Sequence, residues 1–260
     1  MKTIKSKDNE KIKLVKSLHK AKYRNREKKF FSEGLRSVEL AIEHNADIVF
    51  SIISESFFQD VKNKAFIDTL DSRTNVFIVS DSLFDSICTT ENTQGILAVF
   101  DIDDMSVNIF NGEIHKKIIL LDRVQDPGNV GTIIRTADAA GFDLVILTKG
   151  CVDIFNPKVV RSTMGSLFYM DVIVDDENDI LKKLRDSNVQ IVSSSLDANS
   201  YFDEVSYDES VALVVGNEAN GVNQFWYDNS DILVKIPMFG KAESLNVAIS
   251  SAILMYKIVR

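Results

Sequence analysis

Ile12, Val15 and Leu18 recur at helical spacing among lysines in KDNEKIKLVKSLHKAKYRNREKKFF, which predicts an amphipathic helix at the start of the chain. A helix-like GLRSVELAIEHN follows, then a strand DIVFSII, a helix around 56–70 and a strand NVFIV. A short helix from Ser82 and a strand GILAVF complete a small α/β unit that ends near Phe100. The segment DIDDMSVNIFNGEIHKK (101–117) mixes acids, Asn and Gly without periodicity and reads as a linker. The expected organisation is a first domain over 1–105, a linker over 106–117 and a second domain over 118–260. In that second domain apolar runs at 118–122, 144–148, 172–174, 189–193, 211–215 and 232–236 alternate with helical stretches or loops. Nearly continuous apolar strands interleaved with helices imply a parallel sheet covered on both faces. Ligands of such sheets sit beyond the carboxyl ends of the strands, so the loops after 122, 193, 215 and 236 are where chemistry is expected.

Composition adds little to this picture, but charge adds a clue. The chain has 260 residues, 45% hydrophobic and 26% charged, which is ordinary for a globular protein. Two cysteines, Cys88 and Cys151, make no disulfide framework and fit a reducing compartment. The lysine-rich start lacks the apolar core of a secretory signal, and no run reaches the ~20 apolar residues of a membrane span. A cytoplasmic protein is expected. The net charge of −8 conceals a basic end: residues 1–30 hold twelve Lys/Arg against three Asp/Glu, a local balance of +9. A basic end is the electrostatic footprint of a phosphate-backbone partner, although the charge run taken alone favours a solvated helix or a loose tail.

The loops carry more. After the first strand of the second domain comes DRVQDPGNVGTIIRTADAAGF. Pro127 and Gly128 suggest a turn, Gly131 a close backbone approach, and a helix is expected from about Val130 or Gly131 to Ala140. Arg135 then falls in its first two turns, where a cation opposes the helix dipole unless an anion answers it. After strand 211–215 comes GNEANGV, with Glu218 as its acid. An acid there could equally cap the following helix. After strand 232–236 comes PMFGKAESLNVAISSAILMYKIVR, whose helix is expected to begin near Glu243 or Ser244, with small residues at Ala248, Ser250, Ser251 and Ala252. Ser244 and Asn246 taken alone decide nothing, because either could cap that helix. The three histidines (His19, His44, His115) and the two cysteines are scattered without ligand spacing, so no metal site is expected.

Together, DPGNVGTIIRTADAAGF, VVGNEANGV and IPMFGKAESLNVAIS resemble, in order and spacing, the three motifs of the SpoU (TrmH-type) RNA ribose 2′-O-methyltransferases of the SPOUT class. FFSEGLRSVELA and TQGILAVF are similar to that family's small substrate-binding domain, so the resemblance covers about residues 20–260. It implies a small N-terminal α/β RNA-binding domain and a C-terminal parallel-sheet α/β domain with a deep trefoil knot. It implies S-adenosylmethionine as cofactor, held by Gly216, Ile236, Met238 and Leu245, with a further contact from Ser195 and Leu196. It also implies a homodimer through the knot helices. Carried over by motif position, the catalytic group is Asn129, Arg135, Glu218, Ser244 and Asn246. Ala219 stands where the family often has Gly, and Ser250–Ser251 where alanines are common.

Methylating a ribose hydroxyl needs the oxygen, the methyl carbon and the sulfur in line, and a destination for the proton. A guanidinium stays protonated and is a poor base. Arg135 is therefore expected to bind a phosphate and stabilise the developing alkoxide, while Glu218 or a phosphate oxygen takes the proton. Asn129 is expected to fix Arg135 or Glu218 in place. The basic end gains a partner in this reading: Lys20, Lys22, Arg24, Arg26, Lys28 and Lys29 are the expected phosphate contacts on structured RNA. The extra N-terminal domain favours ribosomal RNA over transfer RNA. A nucleotide-dependent oxidoreductase would need a glycine fingerprint and a downstream acid that are absent in the required form. A non-catalytic RNA-binding protein would not need Arg135, Glu218, Ser244 and Asn246 together.

Overall fold

A computed structural model describes residues 1–103 and 110–260. The chain divides into two compact units, one of residues 1–107 with 153–169 and one of residues 108–152 with 170–260. Residues 106–109 of the expected linker lie outside the described residues.

The first unit opens with β1 (Lys2–Thr3), α1 (Glu10–Leu18), α2 (Ala21–Glu27) and β2 (Lys29–Glu33). It continues with α3 (Leu35–Glu43), β3 (Ile48–Ser54), α4 (Glu55–Gln59), α5 (Lys64–Arg73), β4 (Val76–Val79), α6 (Asp81–Asp85) and β5 (Ile96–Asp101). Asn9 caps α1, its side chain accepting the Lys11 N–H, and the predicted stripe of Ile12, Val15 and Leu18 is fully buried. The basic start is not one helix. Lys28 ends α2 in the left-handed region (φ 52°), and β2 then pairs antiparallel with β5. Its Phe30 and Phe31, adjacent in a strand, point to opposite faces and are both buried, so the run after the lysines is a strand covered on both faces and not a continuation of the helix. The five-stranded sheet runs β1-β4-β3-β5-β2, parallel across β1, β4 and β3 and antiparallel at β5.

The second unit begins with β6 (Lys117–Leu121), α7 (Pro127–Ala140) and β7 (Leu144–Thr148). After the excursion that holds α8 (Pro157–Ser162) it resumes with β8 (Asp171–Asp175), α9 (Glu177–Asp186), β9 (Gln190–Ser194) and β10 (Ser200–Tyr201). It closes with β11 (Val211–Val215), α10 (Gln224–Asp228), β12 (Ile232–Lys235) and α11 (Val247–Ile258). Every pairing in its seven-stranded sheet is parallel, in the order β10-β12-β9-β11-β6-β7-β8. The central strands are buried along their whole length, as their unbroken apolar runs require. One face packs on Trp226 with Ile180 and Leu184 of α9. Residues 110–117 are not a free linker. Phe110 packs on this core, and buried His115 accepts the Asn111 N–H at Nδ1 (3.0 Å) while Nε2 lies 2.9 Å from Asp171.

Residues 153–169, within the expected second domain, pack with the first unit. Phe30 meets Phe155 at 4.7 Å between ring centroids, and Phe100 meets Phe168 at 4.7 Å. Arg24 donates from Nε and Nη2 to Asp153 Oδ2 at 2.9 and 2.6 Å, and from Nη1 to the Leu18 carbonyl at 2.7 Å. Among the described residues no helix is long and apolar enough to cross a membrane.

Candidate active site

The strands β12, β9, β11 and β6 are parallel neighbours, so the loops at their carboxyl ends share one edge of the sheet. Three of these loops meet through one chain of side-chain hydrogen bonds. Asn246 is the N-cap of α11, and its Oδ1 accepts the Ala248 and Ile249 N–H groups at 2.9 and 3.3 Å. That engagement leaves its Nδ2 to donate, and it does so to Asn129 Oδ1 at 2.9 Å. Asn129 Nδ2 in turn donates to Glu218 Oε1 at 3.0 Å. The helix start therefore fixes the orientation of both amides, and the order of donors and acceptors requires an acceptor at the far end. Glu218 supplies it and also accepts the backbone N–H groups of Gln125 (3.3 Å) and Asp126 (3.2 Å).

Burial of Glu218 acts to raise its pKa. The hydrogen bond from Asn129 and those from backbone N–H groups, including Asp126 and Gln125, outweigh it and hold the carboxyl below its ordinary value. Glu218 is thus an anchored anion, and it does not cap the helix that follows it. That helix, α10, is capped by Asn223.

Two helix starts differ from expectation. Helix α7 begins at Pro127, with Asp126 as N-cap accepting the Asn129 N–H at 2.8 Å. Proline at the first helical position has no N–H to satisfy, so DPGN opens the helix instead of forming a turn before it. Arg135 consequently lies well inside α7, beyond the turn where a dipole penalty operates. It is exposed and has no hydrogen bond or ion pair among the described residues. Asn129 therefore holds Glu218 and not Arg135. Helix α11 begins at Val247, so Ser244 lies in the exposed approach to it. The small Ala248 and Ser251 are buried in α11, which packs on α7 and β11, while Ile249 and Tyr256 are exposed.

The positions expected to hold the cofactor all lie at this edge. Gly216 follows β11 directly, and a Cβ there would come within 2.1 Å of the Gly221 carbonyl carbon and the Val222 nitrogen. Only glycine permits that turn. Ile236 and Met238 are half-buried after β12, and Leu245 and Leu196 are exposed. Ser195 extends β9, its N–H donating to the Val234 carbonyl at 2.9 Å and its Oγ accepting the Asp197 N–H. Four apolar side chains with one serine, one glycine and no titratable group suit a neutral purine nucleoside. The residues present therefore fit the adenosyl part of S-adenosylmethionine. No cluster of three metal-ligating side chains occurs among the described residues. The Cys151 thiol is no nucleophile: burial pushes it up to about 11, and its Sγ donates to the Leu121 carbonyl.

Of the expected phosphate contacts, Arg24 is corrected. It is 2% exposed and committed to Asp153 and the Leu18 carbonyl, so its guanidinium cannot reach RNA. Lys20 and Lys22 are exposed. Arg26 pairs with Glu27 and lies over the Tyr23 ring, Lys28 pairs with Asp103 at 3.8 Å, and Lys29 pairs with Asp101 at 3.1 Å. Three residues that the sequence reading passed over organise the loops: Asp122, Arg123 and Asn217. The available signal was an acid closing an otherwise apolar strand, and an asparagine between Gly216 and Glu218.

Known proteins resemble the chain along nearly its whole length. The SpoU rRNA Methylase family is matched over residues 116–256, and an MRM3-like substrate binding domain over residues 9–98. The 23S rRNA (guanosine(2553)-2′-O)-methyltransferase RlmP of Bacillus subtilis is 37% identical over 257 residues, covering 98% of each chain. An uncharacterized tRNA/rRNA methyltransferase of Synechocystis is 28% identical, covering 98% of this chain and 92% of its own. Among solved structures, an AdoMet-bound rRNA methyltransferase from Sinorhizobium meliloti superposes with a TM-score of 0.86 at 28% identity, over 98% of this chain and 96% of that one. With its three motif loops joined through Asn246, Asn129 and Glu218, the chain belongs to the SpoU rRNA methylase family.

Proposed function

We propose that this protein transfers a methyl group from S-adenosylmethionine to a ribose 2′-hydroxyl of large-subunit ribosomal RNA. The guanosine named for the Bacillus subtilis relative is the first candidate target. The observation that carries this reading is the hydrogen-bonded chain from Asn246 through Asn129 to Glu218, which joins all three motif loops. A protein that only bound RNA would have no need to orient two amides against an anchored carboxylate.

S-adenosylmethionine, when bound, supplies an electrophilic methyl on a cationic sulfur. Gly216, Ile236, Met238, Leu245, Ser195 and Leu196 hold it through backbone groups and apolar contacts. Arg135, without a hydrogen-bond or ion-pair partner among the described residues, pairs with the phosphate beside the target ribose and stabilises the developing alkoxide. Glu218 stays ionised and holds Asn129 and the start of α7 in place. Its accepting oxygens are engaged and its basicity is reduced, which favours a phosphate oxygen over Glu218 as the proton acceptor. Asn246 fixes Asn129, and Ser244 lines the ribose pocket.

Residues 1–105 grip RNA and residues 118–260 carry out transfer, with the C-terminal part threaded as the family's trefoil knot. The enzyme acts in the cytoplasm as a homodimer. In support, α11 has a second apolar stripe, Ile249, Ile253 and Tyr256, opposite the stripe it buries. Purified protein is to be mixed with radiolabelled S-adenosylmethionine and RNA from cells lacking it, with Arg135→Ala as control. Label at a ribose 2′-O of large-subunit RNA, absent with the variant, is the expected result. Cofactor binding without transfer to RNA or to ribosomal particles would reject it.

A further inference from the structure

The loop after β6 contains a feature that the transfer reaction as described does not use. Asp122 is fully buried, yet it is an acid at the end of an apolar strand. Its carboxylate accepts both Nε and Nη2 of the next residue, Arg123, at 3.0 Å each. It also accepts the Asn223 N–H at 2.7 Å, which fixes the N-cap of α10. The backbone of Arg123 sits in the left-handed region (φ 56°), an unfavourable place for a long side chain. In that conformation the Arg123 N–H donates to Thr148 Oγ1 at 3.0 Å, and its carbonyl accepts Asn217 Nδ2 at 2.9 Å. Asn217 then organises its own turn. Its Oδ1 accepts the Ala219 and Asn220 N–H groups at 2.9 and 3.2 Å, and its backbone pairs with Gly221 in both directions. Glu218 sits between these anchors.

We infer that Asp122 is a positioning residue for methyl transfer: it holds Arg123 left-handed so that the Arg123 carbonyl receives Asn217 and sets Glu218 against Asn129. The inference deepens the proposed function and rests on it for its effect on rate, though the geometric part stands alone. Glu218 reaches Gln125 and Asp126 only if the β6 and β11 loops keep their spacing. The one side-chain bond from Asn217 to the β6 loop ends on the carbonyl of a residue whose conformation is locally unfavourable. A buried carboxylate gripping the same residue's guanidinium in two-pronged fashion supplies the restraint. Arg123 is held by this contact through two of its three guanidinium nitrogens. The Asp122 side chain raises its pKa further, against the opposing effect of its own burial.

The test uses the full-length protein and four forms: wild type, Asp122→Asn, Arg123→Gly in the Asp122→Asn background, and Asn217→Ala. Glycine adopts the left-handed conformation without a restraint, so the double variant should restore what Asp122→Asn loses. Hydrogen–deuterium exchange of peptides covering 122–130 and 216–223 reads the loops directly. Asp122→Asn and Asn217→Ala are expected to accelerate exchange in both, and the double variant to slow it again. In the methyl-transfer assay, Asp122→Asn should lower kcat by about ten- to a hundredfold, with KM for RNA and affinity for S-adenosylmethionine held within about twofold. Partial recovery of kcat in the double variant completes the expected pattern. If Asp122→Asn does not fold, Asn217→Ala tests the same link from the other side. Unchanged exchange in both loops, or a double variant worse than the single, would overturn the inference. A wild-type enzyme without transferase activity but with the expected exchange pattern would sink the proposed reaction and leave the clamp standing.

Discussion

Two arginines in two regions of the chain carry the same charge to opposite ends. Arg24, in the basic N-terminal helices, is buried and holds Asp153 and the Leu18 carbonyl. Arg135, in the helix after β6, is exposed with no internal partner among the described residues. From the sequence both were expected to meet a phosphate, the first in a basic cluster and the second in a motif helix. Packing separates them. A buried guanidinium whose three nitrogens all donate internally is closed to a ligand, whereas an exposed one that the fold leaves unanswered is available to an anion from outside.

Replacement separates the two most sharply. Arg135→Ala should lower kcat for methyl transfer about 100- to 1,000-fold, the loss typical of a removed charge-stabilising group. Its melting temperature should stay near wild type, because an exposed unpartnered side chain contributes within about 0.5 kcal/mol. Arg24→Ala should do the reverse. It strands the Asp153 carboxylate and the Leu18 carbonyl and leaves a void where a buried side chain lay, costing about 2–3 kcal/mol after allowance for the partial exposure of Asp153. Urea denaturation reads that loss, and kcat of the fraction still folded should hold. A stable Arg24→Ala protein with weakened RNA binding would restore Arg24 to the RNA surface.

The strands of the second unit were legible because a fully buried parallel strand is an unbroken apolar run, and runs are visible. Helix starts were less so. Asp126–Pro127 looks like a turn until the Asp126 side chain is seen accepting the Asn129 N–H, and Asn246 looks like one of several caps. Motif spacing brought Asn129, Glu218 and Asn246 together as expected, because three loops at one sheet edge must converge. Arg24 was illegible because its partner lies 129 residues away, in a segment that sequence order assigns to the other domain. No local rule couples Lys20–Lys29 to Asp153.

Glu218 offers a finer division within the active region. Its folded pKa lies below the ordinary value, so the stabilisation it gives to the loops is present above the unfolded carboxylate range. That stabilisation disappears only as pH falls through the lower folded value. Across pH 6–9 the anchor should therefore be constant. Glu218→Gln should reduce kcat while leaving the shape of the pH–rate profile in that range unchanged. With the profile extended into the acid range where Glu218 titrates, loss of the acid limb in the variant would instead make Glu218 the base.

The smallest effects belong to the lysines that share the basic helices with Arg24. Lys20 and Lys22 are exposed, and each should contribute one screened phosphate contact. Lys20→Ala and Lys22→Ala should each weaken RNA binding by about two- to fivefold and reduce the slope of log affinity against log salt by about one. Lys28→Ala and Lys29→Ala should do less, because Asp103 and Asp101 already answer those ammonium groups and would have to be released first. The ordering matters more than any single value. If all four substitutions changed the salt slope equally, internal pairing would have no bearing on which cations serve RNA. The contrast between Arg24 and Arg135 would then lose its physical basis. If only Lys20 and Lys22 do so, the same rule that takes Arg24 off the RNA surface selects the residues that remain on it.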